Sequence, residues 1–160
     1  MLVLMSHSLC RAVFHVVFST KERRNLLSHS TIDRTWAYIA GIGRNHDLHV
    51  YAIGGTQNHI HAVIELRPDV ALSDAVRTLK SNSCRWLRES APAFCWQVGY
   101  GAFSVSPSQV ARVVNYIHNQ EKHHRRMSFE DEMDSMLRAV AMHPCPRVWS
   151  GTAPGGARGI

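Results

Sequence analysis

The chain has 160 residues, one domain's worth at roughly 100–200 residues per domain, with 45% hydrophobic and 19% charged residues. The 18 Lys and Arg outnumber 12 Asp and Glu, giving a formal charge of +6 before the 11 histidines are counted. This balance excludes an acidic disordered tail, a collagen-like repeat and a membrane bundle, and leaves a basic globular domain suited to anionic partners, nucleic acid first.

Met1–Cys10 lacks a basic leader, a long apolar stretch and a cleavage site, so no signal peptide is expected, and Met5 is an alternative start. Residues 10–19 are β-branched and aromatic and predict a strand, followed by the basic turn Lys21-Glu22-Arg23-Arg24. Ser30 and Asp33 form an acidic capping-box pattern, and Ile32, Trp36, Ile39, Ala40 and Gly43 keep helical spacing to about Asn45. Residues 48–66 read as two strands joined around Gly54-Gly55-Thr56. Ser73 then caps a helix with Val76, Leu79, Ser83, Trp86 and Leu87 on one face, ended by Pro92. Residues 94–105 predict a fourth strand, bent at Gly99 and Gly101.

Ser106-Pro107-Ser108-Gln109 is a helix start, with serine at the N-cap and proline at the first helical position. That helix is expected to run through Tyr116 to about Arg126, with Val110, Val113, Val114 and Ile117 as its apolar face. A shorter helix follows from Ser128, carrying Phe129, Met133, Met136, Leu137 and Val140. Residues 1–142 are expected to form a single domain and 143–160 a flexible tail. The order β-α-β-β-α-β gives an α+β, ferredoxin-like (RRM-like) antiparallel sheet with helices on one face, plus the later helices. The topology alone hosts many functions. Cys10, Cys84, Cys95 and Cys145 show no CxxC spacing, so a reduced, cytoplasmic protein without a zinc ribbon is expected. No apolar run approaches the roughly 18 residues of a membrane span.

The residues with chemical capacity are few. His59-Ile60-His61 lies on a predicted strand, where alternation puts both imidazoles on one face, able to share a metal ion. An isolated HxH is more often a pair of hydrogen-bonded histidines. Tyr116 and Gln120 are four apart on the predicted helix and share a face, a phenol nucleophile one turn from an amide oxygen. Each feature gains weight only from the other. His15 shares a strand face with Val13 and Val17 and reads as a satisfied core histidine. Glu65 falls on the face of His59 and His61, four residues past His61, and reads as a strand-end carboxylate. His118 sits on a different helical face from Tyr116. His123 and His124 read equally as a solvated helix end or as phosphate contacts.

The chain resembles the single-tyrosine HUH transposases of small bacterial insertion sequences, the IS200 type, and their REP-associated relatives. The stretches that carry the resemblance are HVVFSTKERR (15–24), His59-Ile60-His61 after GGTQN, LKSNSCRWL (79–87), GYGAFSVSPSQV (99–110) and VVNYIHNQEKHH (113–124). It covers about residues 10–140. It implies His59, His61 and Gln120 as ligands of a divalent metal, Mg²⁺ or Mn²⁺, and Tyr116 as nucleophile. It also implies cleavage and rejoining of single-stranded DNA through a 5′-phosphotyrosine, and recognition of DNA hairpins. A homodimer is implied as well, its active sites shared between subunits and hinged around Gly99–Pro107. One departure is Asn58, where the family usually carries an acidic residue. An amide orients an imidazole but adds no charge to raise its basicity.

Residues 71–126 hold 8 basic and 3 acidic side chains, a net +5. Within them Arg77, Lys80, Arg85, Lys122, His123, Arg125 and Arg126 are the candidate DNA contacts. Three other readings compete: a domesticated relative acting on chromosomal palindromic repeats, a non-catalytic RRM-like nucleic-acid-binding module, and a small-molecule metallohydrolase. The module reading lacks an RNP aromatic motif, and the hydrolase reading lacks a carboxylate base beside the histidines.

Overall fold

The computed structural model describes residues 10–124 and 126–140, Glu121 by its backbone alone. Strand β1, Ala12–Ser19, is the valine- and phenylalanine-rich segment and takes a central place, where both faces are covered. It pairs antiparallel with β3, His59–Leu66, and with β4, Gly101–Ser104. Strand β2, His49–Gly55, pairs with β3 and forms the other edge, so the order is β2-β3-β1-β4. This is the expected α+β ferredoxin-like sheet.

Helices α1, Ile32–Asn45, and α2, Leu72–Ser90, cover one face. Their buried Ile39, Ile42, Val76 and Leu79 meet Val16, Phe18, Ile60, Ala62 and Ile64 of β1 and β3. Alternation sends the neighbouring residues to the opposite face. There a second, smaller apolar cluster of Val13, Ala52 and Val63 is covered by Val110 and Ile117 of α3, Val110–His118. The second face of the sheet is thus crossed by α3, which carries Tyr116.

The fourth strand is shorter than the predicted 94–105. Phe94 and Trp96 instead turn into the main core, where the Trp96 indole N–H donates to Ser83 Oγ at 3.0 Å and its ring meets Phe18 edge-on at 4.9 Å. The Lys80 ammonium donates to the carbonyls of Gln97 (2.6 Å) and Gly99 (2.7 Å), taking up acceptors that a ladder would use. Gly99 turns the chain at φ +85.

The helix expected over 106–126 is also divided. Pro107–Gln109 forms a 3₁₀ turn, α3 ends at His118, and α4 runs Gln120–His124. At the break Asn119 leaves the helical region (φ −102, ψ 13), and its side-chain amide donates to Asn115 O at 2.7 Å. Local side-chain bonding of this kind competes with the helical ladder. The expected caps shift too. Helix α1 starts after Thr31, while Ser30 Oγ pairs with Ser28 Oγ. Ala71 precedes α2, so Ser73 lies inside the first turn. Ser106 does stand before Pro107, but its hydroxyl meets Ser108 Oγ rather than a backbone N–H.

The chain divides into two compact units between residues 125 and 126. In the second, α5 spans Phe129–Ala139 and begins as expected at Ser128, whose Oγ accepts from Asp131 N at 3.1 Å. The predicted tail, 143–160, lies outside the described residues. Among those described, no helix is long and apolar enough to cross a membrane. Cys10, Cys84 and Cys95 are free thiols, and Cys145 lies outside the described residues.

Candidate active site

The register decides what shares the α3 face. Val17 is opposite His61, Ser19 opposite His59, and His15 opposite Val63, so His15, His59 and His61 all point to the same side. His15 and His61 are diagonal neighbours, a relation within reach of ring side chains. Their Nε2 and Nδ1 atoms are 2.9 Å apart. All three histidines are buried, His61 completely.

The hairpin before His59 fixes its ring. Asn58 Oδ1 accepts from His59 Nδ1 at 2.7 Å, and the Thr56 hydroxyl donates to the same oxygen at 3.0 Å. An amide oxygen only accepts, so Nδ1 is the donor in this bond, which leaves Nε2 as the ring nitrogen turned toward the site. Asn58 therefore does the orienting expected of an amide in that position. Two glycines shape this corner. Gly55 has φ +150, and a Cβ there would lie 2.2 Å from His59 O. A Cβ on Gly54 would lie 2.6 Å from Ile117 O. The absence of side chains lets the end of α3 settle onto β2.

That close approach carries Tyr116, the residue before Ile117, to the histidines. Its ring centre is 6.0 Å from that of His61 and 6.2 Å from that of His15. His123 of α4 stands 5.3 Å from the Tyr116 ring. His124 packs edge-on against His59 at 4.5 Å. His59, His61 and His124 each offer a ligand-capable atom within 4.8 Å of the others, a donor set that fits a metal ion. Gln120 is buried at the start of α4. It lines, with His124, Gly54, Thr56, Ile117 and Trp36, a cleft of about 590 Å³. The structure thus brings Tyr116, His59 and His61 together within one chain and puts Gln120 on the adjoining helix. Glu65 lies apart at the strand end, where the Tyr51 hydroxyl donates to it and Arg11 pairs with it at 3.6 Å.

Two residues were under-read from sequence. His15 sits in a run of valines and looked like core. Its role depends on strand register, which no local pattern reveals. His124 was detectable in principle, since it follows Gln120 by four residues and so shares its helical face.

The candidate DNA contacts scatter. Arg77, Lys80 and Arg85 belong to α2, on the far side of the sheet from the histidines. Arg77 is exposed and pairs with Asp74 at 2.9 Å, and Arg85 donates to Asn82 Oδ1 at 2.9 Å. Lys80 is a strut in the 97–99 loop, and burial holds its ammonium below the usual lysine pKa. Lys122 is exposed on α4, beside the half-buried His123. Arg126 is exposed in the second unit, and Arg125 lies outside the described residues.

Comparison with known proteins decides the family. Residues 8–120 match the family model described as "Transposase IS200 like". The chain belongs to the IS200-like transposase family. Among its relatives, the ISDra2 transposase TnpA of Deinococcus radiodurans is 24% identical over 115 residues, covering 67% of this chain and 82% of the relative. A crystal structure described as a transposase of Deinococcus radiodurans R1 superposes with a TM-score of 0.59 at 22% identity, covering 75% of this chain and 98% of that one. A REP-associated tyrosine transposase bound to a REP hairpin superposes with a TM-score of 0.58 at 17% identity, covering 100% of this chain and 98% of that one. The fold is therefore shared with both structures, and His15, His59, His61, Tyr116 and Gln120 lie within the residues that the family model matches.

Proposed function

We propose that this transposase cleaves and rejoins single-stranded DNA by transesterification on Tyr116. The observation that carries the reading is the Tyr116 ring beside the buried His59–His61 pair, on a helix seated against their strand. His59, His61 and Gln120 are the residues that would hold Mg²⁺ or Mn²⁺. When bound, such an ion polarises the scissile phosphate and neutralises developing charge.

The chain's own part is nucleophile and geometry. The Tyr116 oxygen loses its proton to solvent and attacks phosphorus. A P–O bond to tyrosine forms, the bond to the 3′ oxygen breaks, and that oxygen leaves as a hydroxyl after taking up a proton. A 5′-phosphotyrosine diester remains, so a 3′-OH from another strand reverses the step without an outside energy source. Seating Tyr116 between the packed rings of His61, His15 and His123 restricts its rotamers and keeps the attack oriented.

The DNA partner is taken to be a hairpin-bearing single strand, a reading supported by the hairpin bound to the REP-associated relative. Because that likeness spans the whole chain, action on chromosomal palindromic repeats is a second reading with the same chemistry. Copy number and flanking element ends in the genome separate the two. With one nucleophile per chain and two DNA ends to cut, the active form is a homodimer, with α3 exchanged between subunits. The decisive experiment incubates the protein with hairpin-bearing single strands and Mg²⁺ or Mn²⁺, followed by a denaturing gel. A covalent adduct that disappears in Tyr116→Phe is expected. No adduct on any strand drawn from flanking sequence, or one that survives the substitution, overturns the mechanism.

A further inference from the structure

Helix α4 presents a side chain that the ligand set above does not use. His124 lies one turn beyond Gln120, half-buried, its ring 4.5 Å from that of His59. We infer that His124 is a ligand of the same ion, making the centre a three-imidazole site that selects Mn²⁺, Co²⁺ or Zn²⁺ over Mg²⁺. This rests on the reading that His59 and His61 hold a metal.

Three observations support it. First, the ligand-capable atoms of His59, His61 and His124 already gather within 4.8 Å. Second, the Nδ1 atoms of the two strand histidines are both engaged, with Asn58 Oδ1 and with His15 Nε2. That is how an imidazole is fixed to offer Nε2 to a metal. Third, Asn58 is uncharged, so His59 gains no basicity from its partner. An added nitrogen donor offsets that loss. The break at Asn119 matters here, because it frees α4 from the axis that Ile117 imposes on α3 over Gly54.

The metal preference follows from the donors. Mg²⁺ takes oxygen ligands, holds its waters and gains little from imidazole. Divalent transition ions bind nitrogen more strongly, rising from Mn²⁺ through Co²⁺. Gln120 then serves as a further oxygen donor beside three nitrogens.

The test uses the full chain stripped of metal. Zn²⁺ is titrated while the side-chain ¹⁵N resonances of the histidines are followed. Ring-nitrogen shifts at His59, His61 and His124 together are expected. Shifts at His59 and His61 alone overturn the role of His124 and leave the underlying site intact. No shift at His59 or His61 overturns the underlying site itself. A parallel Co²⁺ titration by visible absorption and calorimetry compares wild type with His124→Ala and His124→Asn, with circular dichroism as the check on folding. Loss of about 10- to 100-fold in Co²⁺ affinity is expected, of the order seen when a metal site is perturbed, with Mg²⁺ affinity changed much less. Co²⁺ affinity unchanged in a folded variant, or equal losses for both ions, overturns the inference.

Discussion

His61 shows how far one side chain's chemistry depends on another's. For His61 to offer Nε2, its Nδ1 must carry the proton, and His15 Nε2, 2.9 Å away, must accept it. On the proposal that His61 holds the metal, His15 is a positioning residue, and the pair has one useful tautomer. His15→Phe keeps an aromatic ring at the position and removes the acceptor. Mn²⁺ affinity is expected to fall about 10- to 100-fold by calorimetry, while His15→Gln, which restores an acceptor, recovers part of the loss. Equal affinities for the Phe variant and wild type would show that the contact does not set the tautomer. At this scale the sequence was legible where periodicity alone sufficed. The two-residue repeat of a strand puts His59 and His61 on one face whatever their surroundings. His15 obeys the same repeat, but only the pairing of Val17 with His61 reveals that it meets the site. The four-residue step from Gln120 to His124 is visible too, but in a basic helix end it fits a solvated surface and a phosphate contact equally well.

Elements were legible where their own periodicity determines them, and misread where a side-chain contact intervenes, local at Asn119 and distant at Lys80. Strands β1 to β3 and helices α1, α2 and α5 carry their periodicity within themselves. The segment 94–105 does not, because Lys80, on another element, captures the Gln97 and Gly99 carbonyls while Trp96 is drawn beneath α2. Lys80→Met keeps an unbranched side chain but removes both hydrogen bonds and the ammonium that stands 5.4 Å from the centre of the Phe18 ring. Desolvation of the ammonium offsets part of their worth, so a loss of about 1–2 kcal/mol is expected in urea denaturation. The seating of α3 has its own determinant in Gly54. Gly54→Ala sets a methyl 2.6 Å from Ile117 O, and backbone cannot yield as a flexible side chain would. About 1–3 kcal/mol of destabilisation is expected for such overpacking, concentrated on one side of the sheet. Amide exchange should quicken across α3 while β1 and β3 stay protected. Uniform loss of protection would mean that α3 and the main core unfold as one.

At the scale of the whole molecule, the issue is whether one chain or two builds a working site. Within a chain, Tyr116 already stands beside its own His61. Yet α3 is held chiefly by Val110 and Ile117 on the small cluster of Val13, Ala52 and Val63, far less apolar surface than the main core commits. The connection to β4 is the short Val105–Gln109 stretch, tied by Val105 N to Val13 O at 2.9 Å. An element with a modest docking surface and a short tether is the kind that exchanges between identical copies at little cost, since the same contacts form in either arrangement. Exchange gives each composite site the histidines of one copy and the tyrosine of the other, and keeps the two cut DNA ends in one particle. Neither Tyr116→Phe nor His59→Ala should form a DNA adduct alone. Mixing the two folded variants should restore cleavage to a fraction of the wild-type level, with the covalent DNA found only on the His59→Ala chain, which is distinguishable by an affinity tag's added mass. Light scattering should report a dimer for each. Dimers that remain inactive after mixing, under conditions where subunits demonstrably exchange, would make each chain a self-contained site and restrict the dimer's role to pairing DNA ends.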